Sequence, residues 1–434
     1  MKEKPGKISV SIISLGCSKN TVDSEVLLRQ LDAAGFTLLP EEKAFDASAI
    51  IINTCGFIND AKQESIDTIL ECVEEKKKGI VKKVFVMGCL SQRYKDELIK
   101  AIPDIDGCFG VNSFQEIMQQ FKLDLRKDLL NQRILMTPPH YAYLKIAEGC
   151  DRTCSFCAIP SIRGKHVSRT MSSLVEEAEF LADKGVKELI LLAQDLTYYG
   201  IDIYKKQKLA DLLSKLSKID KIKWIRLHYA YPKGFPMDVL DVMVQHENVC
   251  KYLDIPFQHI NDELLKSMRR GNNYKQTYAL IENIRNKVPG IALRTSLIVG
   301  YPGETKKQFD ELCDFVKEIQ FDRLGVFTYS HEENTPAFRL KETVSQKEKE
   351  ERLLHLMQIQ ENISFKLNSN KIGRTLKVLV DKEEEGIFVG RTEFDSPEID
   401  NEVLIENTGT QIQIGEFYCV KIKSADSFDL FGIL

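Results

Sequence analysis

Short apolar runs alternate with amphipathic stretches over most of this chain. In the first ~125 residues, Ile8–Ser14, Ala49–Asn53 and Lys83–Met87 are compact apolar runs bounded by polar or glycine positions, as buried strands are. Between them, Thr21–Ala34 and Asn59–Lys77 repeat apolar residues at helical spacing, with Asn20 and Asn59 placed as N-caps. Asp104–Phe109 reads as a fourth strand, followed by a helix that Ser113 caps. Strands alternating with helices predict a parallel sheet with right-handed crossovers.

A polar stretch from Lys122 to Pro139 reads as a linker. Six further strands follow: Tyr141–Ala147, Glu188–Ala193, Ile222–His228, Tyr252–Pro256, Ile291–Val299 and Asp322–Tyr329. Helical patterns separate them, among them Ser173–Lys184, Leu209–Leu216, Thr277–Lys287 and Lys306–Ile319. Six βα units predict an open, partial version of the (βα) barrel, whose sites form at the C-terminal strand ends. A long charged helix runs from Ser345 to about Asn368, with Leu353, Leu354, Leu356, Met357 and Ile363 on it, and ends near Gly373. The pattern then changes to short strands and turns (Leu376–Val380, Gly386–Gly390, Glu402–Ile405, Phe417–Ile422), which predicts a small all-β barrel. The chain thus divides into an N-terminal parallel α/β domain (1–125), a central open barrel with a trailing helix (136–368) and a C-terminal β-barrel (369–434).

Composition narrows the function classes. The 434 residues are 43% hydrophobic and 29% charged, with 60 Lys+Arg against 64 Asp+Glu, which excludes a disordered chain and bulk-charge binding of nucleic acid. No apolar run approaches the ~18 residues of a membrane span. Lys2, Lys4 and Lys7 ahead of Ile8–Leu15 and Gly16–Cys17 loosely resemble a lipoprotein signal, but Ser9, Ser11 and Ser14 interrupt the run. Ile8, Val10 and Ile12 alternate as in a strand, so the chain reads as cytoplasmic. It carries no internal repeat, Walker-type loop or dinucleotide-binding glycine fingerprint.

Eleven cysteines in such a chain point to metal or redox chemistry more than to disulfides. Cys72, Cys108, Cys250, Cys313 and Cys419 stand alone and read as small buried hydrophobes. Cys17, Cys55 and Cys89 each fall just beyond a predicted strand of the first sheet, where parallel topology brings strand ends to one edge. The adjacent Gly16, Gly56 and Gly88 permit close backbone approach there. Three structural cysteines would give the same pattern. Cys150, Cys154 and Cys157 form a Cys-x3-Cys-x2-Cys triplet directly after the first barrel strand. Thiolates suit zinc or iron–sulfur clusters. Spacing leaves open a zinc site, with His166 as the nearby fourth ligand, and a four-iron cluster held at three corners with one iron free.

The triplet in its setting, Glu148-Gly-Cys-Asp-Arg-Thr-Cys-Ser-Phe-Cys-Ala-Ile-Pro, resembles that of the radical S-adenosylmethionine (SAM) methylthiotransferases. The resemblance extends to Leu-Gly-Cys-Ser-Lys-Asn around Cys17, Asn-Thr-Cys-Gly-Phe around Cys55, Met-Gly-Cys-Leu around Cys89, and a terminal TRAM-like β-barrel. The stretch from Ser14 to Glu25, Pro160-Ser-Ile-Arg-Gly-Lys and Leu253-Asp-Ile-Pro-Phe-Gln-His are similar to the branch that modifies an aspartate of the twelfth small-subunit ribosomal protein (RimO-like). Ser18 and Phe257 depart from that branch's commonest wording. The alternatives are the branch that modifies transfer RNA adenosines (MiaB-like) and a non-catalytic iron–sulfur or RNA-binding protein.

The resemblance implies two [4Fe-4S] clusters. Cys150, Cys154 and Cys157 would hold the one that binds and cleaves SAM, and Cys17, Cys55 and Cys89 an auxiliary one. It implies two stages: one SAM methylates a sulfur on the auxiliary cluster, and a second yields the radical that abstracts hydrogen from the aspartate β-carbon. Phe156, Gln194 and Asp195, and Gly300 with Glu304, match positions near SAM in the superfamily. Arg163, Lys165 and Arg169 form a basic loop that would meet substrate or SAM carboxylate, or solvent. Arg226, His228 and His259 are expected to face the barrel cavity without a chemical role. The implied partners are a basic small-subunit ribosomal protein, a sulfur donor and a low-potential electron donor such as ferredoxin or flavodoxin. Seven Lys+Arg against thirteen Asp+Glu give residues 369–434 a formal charge of −6, which suits a basic protein better than transfer RNA.

Overall fold

The computed structural model describes residues 8–406, 409 and 411–434; Lys2, Lys4 and Lys7 lie outside the described residues. Five parallel strands form the first sheet: β1 (Ser9–Ser14), β2 (Thr37–Leu39), β3 (Ala49–Thr54), β4 (Lys83–Gly88) and β5 (Gly107–Cys108), in the order β2-β1-β3-β4-β5. The continuous apolar run of β3 reflects burial on both faces. Ile50 and Ile52 pack with Ile69, Cys72 and Val73 of α2 (Asn59–Lys77). Ala49 and Ile51 pack on the other side with Leu27, Leu28 and Leu31 of α1 (Ser18–Ala33).

Neither predicted asparagine cap acts as one. Asn20 lies inside the first turn of α1, and its amide donates to the carbonyls of Leu15 (2.8 Å) and Thr54 (3.1 Å). Asn59 opens α2 behind Ile58 without a side-chain cap bond. Ser113 does sit at the N-cap of the Phe114–Gln120 helix, again without a cap bond.

The second sheet contains the six expected strands, all parallel: β6 (Tyr141–Lys145), then β9 (Glu188–Leu192), β10 (Trp224–Leu227), β11 (Val249–Asp254), β12 (Ala292–Val299) and β13 (Arg323–Thr328) in spatial order. Between β6 and β9, a two-residue ribbon pairs β7 (Ala147–Glu148) with β8 (Val167–Ser168). The barrel is open between β6 and β13. The trailing helix, Gln346–Ser369, packs Leu356 and Ile363 into the barrel core. The segment read as a linker is packed in place: Leu123, Leu125, Ile134 and Met136 lie against the α1 side of the first core. Within it the buried Arg133 pairs with Glu25 (2.6 Å) and Glu177 (2.8 Å).

The C-terminal module is a closed five-stranded barrel of β14 (Thr375–Glu384), β15 (Ile387–Thr392), β16 (Val403–Glu406), β17 (Phe417–Ala425) and β18 (Leu430–Ile433). The last strand carries too short an apolar run to register in the sequence. The loop joining β15 to β16 inserts under the open barrel and spans its seam. Glu398 accepts from Tyr141 Oη on one edge (3.0 Å), and Asp395 pairs with Arg323 on the other. Between them Asp400 accepts from Tyr252 Oη (2.7 Å) and faces Arg294 at 3.3 Å.

Two expectations change here. Arg226 and His228 face this loop and not a cavity: Arg226 donates to Glu188 (2.7 Å) and to the Glu393 carbonyl (2.7 Å), and His228 Nε2 lies 2.8 Å from Ser396 Oγ. Burial, reinforced by Arg294 and Arg226, pushes the His228 pKa far down and keeps the ring neutral. Asp395 and Asp400, two of the thirteen acidic residues behind the −6 charge, are therefore engaged inside the molecule by barrel arginines. They are not free to attract a basic partner. Cys419, read as buried, is exposed; the other four lone cysteines are buried.

Candidate active site: two cysteine triads across a domain boundary

Cys17 stands three residues beyond β1, and Cys55 and Cys89 one residue beyond β3 and β4. The structure brings these loops to the same sheet edge. A Cβ added to Gly16, which has φ +90°, would sit 2.6 Å from Cys55 Cβ, and one on Gly56 would sit 2.6 Å from Leu90 Cα. The thiols are free, and burial pushes Cys89 up to about 11.

Cys150, Cys154 and Cys157 lie on the loop after β7, and they too are free thiols. This loop has almost no regular structure of its own, so tertiary anchors shape it. The Ser155 N–H donates to the Met268 carbonyl (3.0 Å), its carbonyl accepts from the Ala337 N–H (2.7 Å), and its hydroxyl lies 2.9 Å from Tyr301 Oη. Arg270 Nη1 donates to Cys154 Sγ at 3.3 Å, and Tyr231 Oη lies 3.7 Å from the same sulfur. The Arg152 guanidinium lies against the rings of Tyr198 and Tyr231, 4.9 and 4.1 Å from their centroids, and pairs with Asp195 at 2.7 Å. Burial pushes the Cys150 thiol up to about 11 and Cys157 up to about 12. Metal ligation by these thiols therefore releases protons.

The signature around Cys17 also holds the first domain against the barrel. Polar residues of α1 that a lone helix would expose are buried against the barrel. Arg163, from the short helix after Cys157, donates to Asn20 Oδ1 (2.6 Å) and pairs with Asp23 (3.2 Å) and Glu148 (2.9 Å). Lys145 pairs with Asp23 and with Glu148 (2.7 Å). Lys145 and Arg163 outweigh the burial that would raise the Glu148 pKa, and hold this carboxyl well below its ordinary range. A second clasp pairs Glu332, after β13, with Lys62 and Arg93 of the first domain, each at 2.9 Å.

Other sequence candidates are placed as follows. Phe156 packs against Tyr301, Met268 and Ile298. Gln194 donates to Glu148 at 2.8 Å and leaves its own buried carbonyl oxygen unpartnered. Asp195 is fully engaged by Arg152 and by the N–H and hydroxyl of Thr197, and Glu304 by Arg352 and the Gly300 N–H. Both carboxylates thus have partners within the chain. Arg163 is buried in the boundary and Arg169 pairs with Glu177, while Lys165 is exposed. His259 Nδ1 accepts from the N–H groups of Ile260 and Asn261, so it is a structural, neutral ring.

The donor sets fit iron–sulfur clusters. Each triad offers three free thiols beside cations that would balance thiolate charge. His166, the candidate fourth zinc ligand, lies 3.0 Å from Ser168 Oγ, and among the described residues no group of His, Cys, Asp or Glu converges on a single-ion position. In a four-iron cluster each thiolate binds a different iron, so no such convergence is needed.

Three family models match parts of the chain. The Radical SAM superfamily model matches residues 144–316, the TRAM domain model residues 372–434, and the model described as Uncharacterized protein family UPF0004 residues 9–110. The chain is 57% identical over 426 residues to the ribosomal protein uS12 methylthiotransferase RimO of Cytophaga hutchinsonii, covering 98% of both chains. This chain belongs to the RimO family. It is also 54% identical to the RimO of Christiangramia forsetii, covering 98% of this chain and 94% of that one. Among solved structures, the radical SAM methyltransferase TsrM from Kitasatospora setae aligns with a TM-score of 0.55 at 15% identity, over 76% of each chain, which speaks for the fold.

Within this RimO-family chain, sequence reasoning missed Arg270, Tyr231 and the buried polar face of α1. Arg270 and Tyr231 lie 116 and 77 residues from Cys154, and no local pattern ties them to it. Arg152, inside the triplet itself, was available to be found.

Proposed function

We propose that this chain is a radical SAM enzyme that adds a methylthio group to the β-carbon of an aspartate in ribosomal protein uS12. One observation carries the reading: two free cysteine triads lie on the two domains joined by one buried, ion-paired boundary, in a chain of the RimO family. Cys150, Cys154 and Cys157 would hold the SAM-binding cluster, and Cys17, Cys55 and Cys89 the auxiliary cluster. When bound, these groups and SAM supply a carbon-centred radical and a transferable methylthio sulfur. The β-carbon hydrogen is far too weakly acidic for a side-chain base, so the chain's own residues position and shield.

Ser155 and its three anchors fix the triplet loop, with Phe156, Gln194 and Gly300 on the SAM side. Arg152 and Arg270 favour the thiolate state in a dry site. The Asn20–Arg163–Glu148 network sets the separation of the triads, and the inserted acidic loop closes the barrel from below. Residues 1–125, 136–368 and 369–434 would act as the three working units. The reaction would run in the cytoplasm, with a low-potential electron donor and a sulfur donor; no helix among the described residues is long and apolar enough to cross a membrane.

The test is anaerobic reconstitution with SAM, reductant and sulfide, offering uS12 and bulk transfer RNA separately, with mass spectrometry of each. A methylthiolated aspartate peptide is the expected result. A modified adenosine would move the chain to the RNA-modifying branch, and no 5′-deoxyadenosine from intact clusters would overturn the radical reading.

A further inference from the structure

The Cys17 loop carries one cation that the boundary network leaves out. Lys19, in the first turn of α1, is only 8% exposed. Among the described residues its ammonium has no hydrogen bond and no ion pair; it stands 3.7 Å from the centroid of the Tyr229 ring. The other cations around the two cysteine loops are committed: Lys145 to Asp23 and Glu148, Arg163 to Asn20, Asp23 and Glu148, Arg152 to Asp195, and Arg270 to Cys154 and the Pro256 carbonyl. Nearby carboxylates are committed too. Glu148 serves Lys145, Arg163 and Gln194, and Asp254 serves Arg294 and the Tyr229 N–H.

Tyr229 is itself unusual. It follows β10 with a φ of +66°, a conformation that bulky residues adopt only where their surroundings impose it. The result is an aromatic floor beneath an ammonium. Cation–π attraction and the field of the nearby Cys17 sulfur offset only part of the cost of burying that charge, and no hydrogen-bond acceptor among the described residues meets the ammonium. A negative group from outside the chain would complete the arrangement.

Position selects which anion. Lys19 lies two residues beyond Cys17 and over the C-terminal end of a barrel strand, the end at which sites of this barrel class form. A residue modified by both triads has to present its β-carbon there, and the carboxylate of an aspartate is one bond away from that carbon. We propose that Lys19 binds the β-carboxylate of the substrate aspartate, over the Tyr229 ring, and so selects an acidic side chain. The inference rests on the function proposed above. A site built around a charge-assisted bond rejects the neutral isostere that cannot make it.

The test reads binding without turnover. Protein carrying both clusters, with SAM and no reductant, is titrated with labelled uS12 and with uS12 whose target aspartate is replaced by asparagine. Wild type is expected to bind the aspartate form at least about tenfold more tightly. Lys19→Met should bind the two forms within about twofold, and Lys19→Arg should restore part of the preference. Iron and sulfide per chain are measured in all three proteins. A preference that survives Lys19→Met, or is missing from wild type, overturns the proposal. Loss of cluster iron in Lys19→Met also overturns it, because Lys19 would then be a counter-charge for the auxiliary site. Mass spectrometry of uS12 after turnover separates the two readings. If wild type methylthiolates the aspartate while Lys19→Met keeps the preference, only this inference fails; if uS12 is never modified, the parent reading fails.

Discussion

The two cysteine triads solve one coordination problem by opposite means. Cys150, Cys154 and Cys157 are close neighbours in sequence, so little chain entropy opposes bringing them together. Their loop is weakly structured and takes its shape from contacts with Met268, Arg270, Tyr301 and Ala337. Cys17, Cys55 and Cys89 are each more than thirty residues apart and meet only once a five-stranded sheet has formed. Their loops need little outside help, because three rigid strands deliver them. The local triad depends on its surroundings for precision, and the dispersed one depends on its domain for existence.

The largest effect expected from breaking this comparison is functional. Cys154→Ala should lower 5′-deoxyadenosine formation by about three orders of magnitude or more. Cys55→Ala should retain SAM cleavage, yet both variants lose methylthiolated uS12, as chromatography and mass spectrometry would read. Next comes the boundary. Arg163→Met strands Asp23 and Glu148 with one buried cation fewer, at a cost of about 3 kcal/mol or more in thermal unfolding. An unchanged melting temperature would mean that the two domains do not rely on this pair.

Gly16→Ala strains the sheet-edge triad alone: at φ +90° the new methyl would collide with Cys55. We expect about 1–3 kcal/mol of destabilisation and loss of auxiliary iron, with the triplet's iron retained.

The smallest effect is one of pH and falls on the other triad. Burial, helped by Arg352, pushes the His259 pKa down to about 3, and His259 anchors the turn that leads to Met268 and Arg270. The folded ring stays neutral while the unfolded one protonates below about pH 6.5. Stability is therefore full above that pH and declines on acidification, by about 1.4 kcal/mol at pH 5.5. His259→Gln should flatten the fall in melting temperature between pH 7 and 5.5.

Much of the fold was legible because the main strands are short and mostly apolar and the crossover helices periodic; β3 and α2 are clear cases. The convergence of Cys17, Cys55 and Cys89 was legible through topology. Lys19, Asn20 and Asp23 were not, because polar residues on an amphipathic helix look like a solvent face until a second domain covers them. Asp195 and Glu304 show a related ambiguity: a carboxylate at a strand end suits a ligand or a turn equally, and each here has partners within the chain. The acidity of the last module likewise gave no hint that Asp395 and Asp400 were turned toward barrel arginines.

The acidic loop beneath the barrel also bears on how the molecule is made. Arg294 and Arg323 lie in strands that leave the ribosome well before Asp395 and Asp400 exist. Until the final module emerges, Arg323 lacks its Asp395 partner and Arg294 has only Asp254, and the barrel's seam lacks the segment that spans it. Such long-range pairing is slow to form and leaves the nascent barrel prone to aggregate in the interval. The tail of this chain therefore sets the moment at which its centre is complete, and a truncated translation product would carry every cluster ligand yet have no floor to its barrel.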